Sequence, residues 1–383
     1  MTRSAIAELR RIVPGAAIDL VVGSWNAGLA RLLPGLDRVE TLDMSWLARG
    51  AARRQNGRRA AARLARQVIT WRKRRYDLAI NFEPDIRSNF LMAMSGARRL
   101  AGFGTAGGGP LLTDVVPYDR TSHVSTNSIR LVRQATTGCA GAFQKERAAS
   151  QDNGATGDRL VPPEHARRRA RALIDAEFAL ARIQPAAAGP LVGLHAGGAR
   201  GIKRWPPDRF AAVAARIARV WRATTVLVGD DEDAGINESL RGTLSPGVPV
   251  VDLTSKADIV TLAAILERLS LLLAVDSGPM HLADAVGTPL VAVFGPSDPK
   301  RWGPSGPLSR AVQASLPCSP CNRIRRPPQR CSPGVPDCML SIQEATVYEA
   351  AASLLEIGRI STEGVGGTVL APAEADRVEG TRP

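Results

Sequence analysis

Short apolar runs alternate with longer amphipathic stretches along most of this chain. Ala17 to Gly23 (AIDLVVG) and Tyr76 to Asn81 (YDLAIN) are compact apolar runs ended by a turn residue. Their pattern predicts buried strands. Between them, roughly Trp46 to Arg75 carries alanine and leucine on one side and arginine on the other, which predicts a helix. Residues 140 to 160 are small and polar without a period and read as a linker. Glu164 to Ile183 predicts a helix that the proline- and glycine-bearing segment 184–190 breaks.

A second series then starts cleanly. Strands are predicted at Leu191–His195, Thr224–Val228, Leu271–Val275 and Leu290–Phe294. Helices are predicted at Pro207–Trp221, Ile259–Leu269 and Met280–Val286. Strand, helix, strand at this spacing predicts an α/β protein built on parallel sheets. Domains are expected at 1–160 and 191–358, joined by a linker helix and hinge at 161–190. A disordered tail is expected at 359–383.

Composition adds limits. No run of about 18 apolar residues is present, and the N-terminus lacks the apolar core of a signal peptide, so a cytoplasmic location is expected. The formal charge of +14 favours anionic partners. With only 4% aromatic residues there is no interleaving of basic and stacking side chains, and nucleic acid is a poor candidate. The arginines of the first helix, Arg53, Arg54, Arg58, Arg59, Arg63, Arg66, Arg72, Arg74 and Arg75, with Lys73, suit an anionic glycolipid or the inner-membrane surface, or a plain solvated face.

The segment Leu271–Pro299 (LLLAVDSGPMHLADAVGTPLVAVFGPSDP) holds the most specific chemistry. Asp276-Ser277-Gly278-Pro279-Met280-His281 follows a predicted strand, and the carboxyl end of a parallel strand is where such sheets place ligands. Gly278 permits close backbone approach. The following helix points N–H groups at the same place, a natural phosphate site. Asp276 can accept from sugar or ribose hydroxyls, and His281 lies one turn on. An isolated Asp-Ser-Gly is more often a helix cap than a site. Four of the five cysteines, Cys318, Cys321, Cys331 and Cys338, form C-x₂-C-x₉-C-x₆-C among prolines. A structural zinc site, buried free thiols or an oxidisable pair all fit that spacing.

The Leu271–Pro299 segment resembles the signature of glycosyltransferase family 9, the bacterial heptosyltransferases of the lipopolysaccharide core. His195-Ala196-Gly197-Gly198 through Lys203-Arg204-Trp205-Pro206 resembles the family's first donor-domain loop and its Lys-x-Trp-Pro element. Val226-Leu227-Val228-Gly229 with Glu232 resembles the next strand and its acidic residue, and Tyr76–Ala101 resembles the N-terminal domain. The resemblance implies a GT-B fold, two Rossmann-like domains facing across a cleft. It implies inverting transfer from a nucleotide sugar, typically ADP-heptose, to a saccharide or glycolipid acceptor without a catalytic metal. On it, Lys203 contacts the donor diphosphate and Glu232 the ribose. Ser277, Gly278 and Pro279 form the phosphate turn, and Asp276 and His281 address diphosphate or sugar.

The family pattern also implies an early strand and a glycine loop whose Asp serves as general base. The sequence as given starts at the helix after that loop, so no catalytic base is assigned, and a late start or a fragment is the expected cause. Glu83 and Asp85 are the nearest substitute carboxylates, although capping or solvation accounts for them equally well. A nucleotide-sugar-binding remnant and a GT-B-fold epimerase are the alternative readings.

Overall fold

The computed structural model describes residues 2–44, 57–137, 159–184, 189–324, 327–328, 331 and 334–363. The expected linker falls mainly in 138–158, and the end of the expected tail in 364–383; both lie outside the described residues. The chain divides into two units, Met1–Asp158 and Arg159–Pro383. Every strand pairing described in either unit is parallel.

The first unit runs α1 (Arg3–Ile12), β1 (Asp19–Val22), α2 (Ala27–Ala30), β2 (Arg38–Thr41), α3 (Gly57–Arg74), β3 (Leu78–Asn81), α4 (Ile86–Met94), β4 (Arg99–Phe103), β5 (Asp114–Val116) and α5 (Val124–Ala135). Its strands form two separate sheets, β1-β2 and β3-β4-β5. The core beneath the second sheet is small: Ala101, Phe103, Val116, Leu131 and Ala135, with Tyr118 edge-on to Phe103 at 4.9 Å.

Burial departs from the sequence pattern here. β1 and β3, expected as buried strands, are half-buried, and Val21 is 41% exposed. Among the described residues each pairs along one edge only, so its apolar side chains lack the flanking cover a central parallel strand receives. In α3 a narrow stripe, Val68 and Trp71, is buried. Two of the basic residues considered for an anionic surface also bond within the unit. Arg74 bonds the Asp19 carboxylate at 3.0 Å and also Glu40, and Arg72 donates to the Met94 carbonyl at 3.1 Å. Arg53 and Arg54 lie outside the described residues.

The second unit runs α6 (Glu164–Leu180), β6 (Leu191–His195), α7 (Pro207–Trp221), β7 (Thr224–Leu227), α8 (Ala234–Thr243), β8 (Val250–Asp252), α9 (Ile259–Arg268), β9 (Leu271–Val275), α10 (Gly278–Val286), β10 (Leu290–Phe294), α11 (Pro299–Trp302), β11 (Ser309–Gln313), α12 (Asp337–Leu340) and α13 (Glu344–Glu363). Its strands make one sheet in the order β11-β10-β9-β6-β7-β8. β9 and β10 are buried at every residue, as side chains on both faces of a helix-covered parallel sheet must be. α6 is tied into this unit by a bidentate Arg167–Glu267 pair at 2.7 Å.

Local chemistry sets the helix limits. Asp258 caps α9 by accepting the N–H groups of Val260 and Thr261. Pro206 and Pro207 open α7, where a missing N–H costs nothing. Gly287, at φ +76°, closes α10 in the left-handed region.

Candidate functional site

The strand order places the site. β6 and β9 are neighbours at the centre of the six-stranded sheet, with His195 opposite Ala274. From β6 the chain winds outward through β7 to β8. It then returns to β9 and winds outward the other way through β10 to β11. The crevice beyond the carboxyl ends of β6 and β9 is therefore a topological switch point, where open α/β sheets bind their ligands. His195-Ala196-Gly197-Gly198 leaves one of these strands, and Asp276-Ser277-Gly278 leaves the other.

Trp205 fixes the loop after β6. It is fully buried, edge-on to Phe210 at 5.0 Å, and its indole N–H donates to the Ile342 carbonyl at 3.3 Å. That anchor holds Lys203 two residues earlier. The Lys203 ammonium reaches across to the Asp276 carboxylate at 2.7 Å. Asp276 is 8% exposed and also accepts from the Ser297 hydroxyl. A sequence separation of 73 residues thus closes into one partly buried ion pair. Asp276, expected as an acceptor for sugar or ribose hydroxyls, is occupied by Lys203 and Ser297 in this state.

Ser277 is the N-cap residue of α10, with Gly278 and Pro279 as the first two helical positions, so the helix starts two residues earlier than its apolar period suggests. A Cβ at Gly278 would meet nothing within 4 Å, which leaves free approach to the turn. His281 is half-buried on the first turn. Burial lowers its pKa to about 4 against the opposing pull of Asp276, so the ring is neutral at pH 7.

Glu232 lies on the exposed turn after β7, where its N–H bonds the Asp230 carboxylate at 3.0 Å. The adjacent Asp233 is buried and was not singled out by its sequence. Its carboxylate contacts His195 Nε2 at 3.1 Å and accepts the Gly198 N–H at 3.0 Å. Burial works against the charge on Asp233, but the bonds from His195, Gly198 and Asp230 outweigh it and hold its pKa below the usual carboxylate value. Gly197 is required by this packing, since a Cβ there would run into the Asp233 carboxylate. Gly198 sits at φ +127°, where L side chains rarely go. The paired glycines after His195 were the available signal for a close approach; its partner, 35 residues on, was not legible.

The substitute carboxylates separate. Asp85 is the N-cap of α4, accepting the Arg87 N–H at 2.8 Å and pairing with its guanidinium at 2.7 Å, which lowers its pKa to about 2. It is a structural cap. Glu83 is exposed on the turn before it.

The four cysteines are free thiols at different depths. Cys318 is exposed, Cys321 and Cys331 are intermediate, and Cys338 is buried. Cys338 lies on α12, not in the irregular knuckle its prolines suggested, and burial pushes its pKa up to about 11. Among the described residues no group of three or more His, Cys, Asp or Glu side chains is arranged to hold a metal. The expected structural zinc at Cys318, Cys321, Cys331 and Cys338 is therefore not supported. No helix among the described residues is long and apolar enough to cross a membrane.

Comparison with solved structures defines the fold class. An Escherichia coli ADP-heptose lipopolysaccharide heptosyltransferase II superposes with a TM-score of 0.68 at 18% identity, covering 94% of this chain and 95% of the other. A glycosyltransferase family 9 protein from Veillonella parvula gives 0.70 at 22% identity, covering 92% of each. The fold is GT-B.

Residues 62–331 match glycosyltransferase family 9 (heptosyltransferase), and the chain belongs to that family. Its sequence is 35% identical to lipopolysaccharide heptosyltransferase 3 of E. coli over 104 residues, which is 27% of this chain and 30% of that protein. It is 29% identical to lipooligosaccharide heptosyltransferase 2 of Campylobacter jejuni over 168 residues, 43% of this chain and 51% of that one. These alignments thus span between 30% and 51% of the relatives' length. A longer, weaker match, 25% over 333 residues, joins it to lipopolysaccharide heptosyltransferase 1 of Pseudomonas aeruginosa and covers 84% and 81% of the two chains.

Proposed function

We propose that this protein transfers heptose from ADP-heptose to a saccharide acceptor of the lipopolysaccharide core, with inversion at the anomeric carbon. The observation that carries this reading is the Lys203–Asp276 pair beside the Ser277-Gly278-Pro279 turn, at the switch point of a family 9 chain. Donor binding brings a diphosphate to the N-terminus of α10, and Lys203 exchanges part of its contact with Asp276 for the phosphate oxygens. Glu232, exposed on the neighbouring turn, receives the ribose hydroxyls. His281, neutral at pH 7, donates or accepts a hydrogen bond at the diphosphate or sugar without adding charge.

In the transfer, an acceptor hydroxyl oxygen bonds to the anomeric carbon as the bond to the diphosphate oxygen breaks. The electron pair leaves with the nucleoside diphosphate, and the acceptor proton passes to a base. Lys203 stabilises the charge that grows on the leaving group, the role a metal ion plays in other transferases. Asp276 holds the ammonium aimed before the donor arrives. The acceptor is an anionic glycolipid at the inner membrane, to which the exposed arginines of α3 supply electrostatic attraction.

Incubation with ADP-heptose and a heptose-deficient core lipopolysaccharide tests the reading. ADP release that depends on the acceptor, with a heptosylated product by mass spectrometry, is expected. Tight ADP-heptose binding without turnover would establish a nucleotide-sugar-binding protein instead.

A further inference from the structure

A serine at the N-cap ordinarily turns its hydroxyl onto the N–H of the second or third helical residue. Ser277 makes no such bond. The second residue of α10 is Pro279, which has no N–H, so Met280 is the capping target that remains. The Ser277 hydroxyl instead lies 3.0 Å from Nδ1 of His195. The opposite nitrogen, Nε2, is 3.1 Å from the Asp233 carboxylate. The ring is 2% exposed, and Asp233 is 5% exposed. Carboxylates only accept, so Nε2 carries the hydrogen, and in the neutral ring Nδ1 is then the acceptor. Ser277 O–H therefore donates to Nδ1, and Nε2–H donates to Asp233, a directed chain joining the ends of β6, β7 and β9.

We propose that His195 and Asp233 are positioning residues of the donor turn. They draw the Ser277 hydroxyl off the start of α10 and so keep the N–H groups of Gly278 and Met280 open to a diphosphate. The inference rests on the donor-site reading above. Without the chain, the hydroxyl caps Met280 and competes with the ligand. The same Asp233 accepts the Gly198 N–H and follows Glu232 in sequence, which registers the ribose end of the site with the phosphate end.

Two substitutions break the chain while keeping polar groups in place. His195→Gln retains a donor toward Asp233 and releases Ser277. Asp233→Asn is isosteric, and with its single oxygen held by the Gly198 N–H it turns an amide donor toward Nε2 in place of the acceptor that fixes the ring's tautomer. Calorimetric titration of full-length protein with ADP, and separately with inorganic pyrophosphate, measures the effect. Each variant should bind both probes about tenfold more weakly, the worth of one cap bond. Adding Ser277→Ala to either variant should restore most of the lost affinity, because no hydroxyl is left to occupy the helix start. A purely structural role for His195 predicts no such rescue. Undiminished binding by the single variants, or weak binding that Ser277→Ala does not repair, overturns the inference while leaving the donor site intact. Failure of the wild-type protein to bind either probe overturns the donor-site reading itself.

Discussion

The two units are built from the same parts with different results. In the second, six parallel strands form one sheet, and its central strands are sealed above, below and along both edges. In the first, the five described strands fall into a pair and a triplet, and β1 and β3 stay half-buried although three of the four residues in each are apolar. A parallel strand owes its stability to neighbours on both edges and helices on both faces. The comparison teaches that an apolar run proposes burial, and the sheet around it decides whether burial happens. Lys203, Asp276 and the His195–Asp233 contact all lie on the second unit.

The comparison can be broken most directly by amide hydrogen exchange. Backbone amides of β9 and β10 should be protected by about a thousandfold or more over those of β1 and β3, since opening free energy follows local burial. Equal protection would remove the distinction. Lys203→Met should lower kcat/KM by about 10²- to 10³-fold, the usual cost of one charge-stabilising donor. Asp85→Ala, in the first unit, should leave turnover nearly unchanged. Core truncations sharpen the contrast further. Trp205→Ala should cost about 3–5 kcal/mol in chemical denaturation, and Phe103→Ala at the smaller end of that range, because a thin core collapses more readily around a cavity.

A pH experiment addresses His281. Its folded pKa is depressed to about 4 from 6.5, so the unfolded chain binds the extra proton between those values. The stability it contributes is complete above pH 6.5 and is lost as pH falls toward 4. Between pH 7 and pH 4.5 the loss should be about 2–3 kcal/mol and should shrink by that amount in His281→Asn, measured by urea unfolding. The smallest effect concerns two caps. Asp258→Ala and Asp85→Ala should each cost about 1 kcal/mol. If the units unfold separately, Asp85→Ala moves only the less stable transition.

Much of the second unit was readable because its signals are local. Strands Leu191–His195, Leu271–Val275 and Leu290–Phe294 and helix Pro207–Trp221 were predicted with the limits they have. α8 has little helical signal because Gly235 and Gly242 weaken its pattern, and β8 has little strand signal because three residues show no period. Of the candidate site, the turn at Ser277-Gly278 and Lys203 were visible in the residues and their family likeness. Asp233, His195 as its partner, and Ser297 were not, because each acts through a neighbour from another strand.

By itself, then, the sequence determined the parallel α/β class, the order of strands and helices around the turn, and which residue types stand at the strand ends, since periodicity and turn chemistry are properties of neighbouring residues. Only the tertiary structure decided that Lys203 spends its charge on Asp276, that Ser277 turns to His195 and not to its own helix, that Asp85 is a cap, and that Cys318, Cys321, Cys331 and Cys338 stand at different depths. Those outcomes depend on which strand ends the sheet brings side by side and on how deeply each group is removed from water, and neither is written in the spacing of residues along the chain.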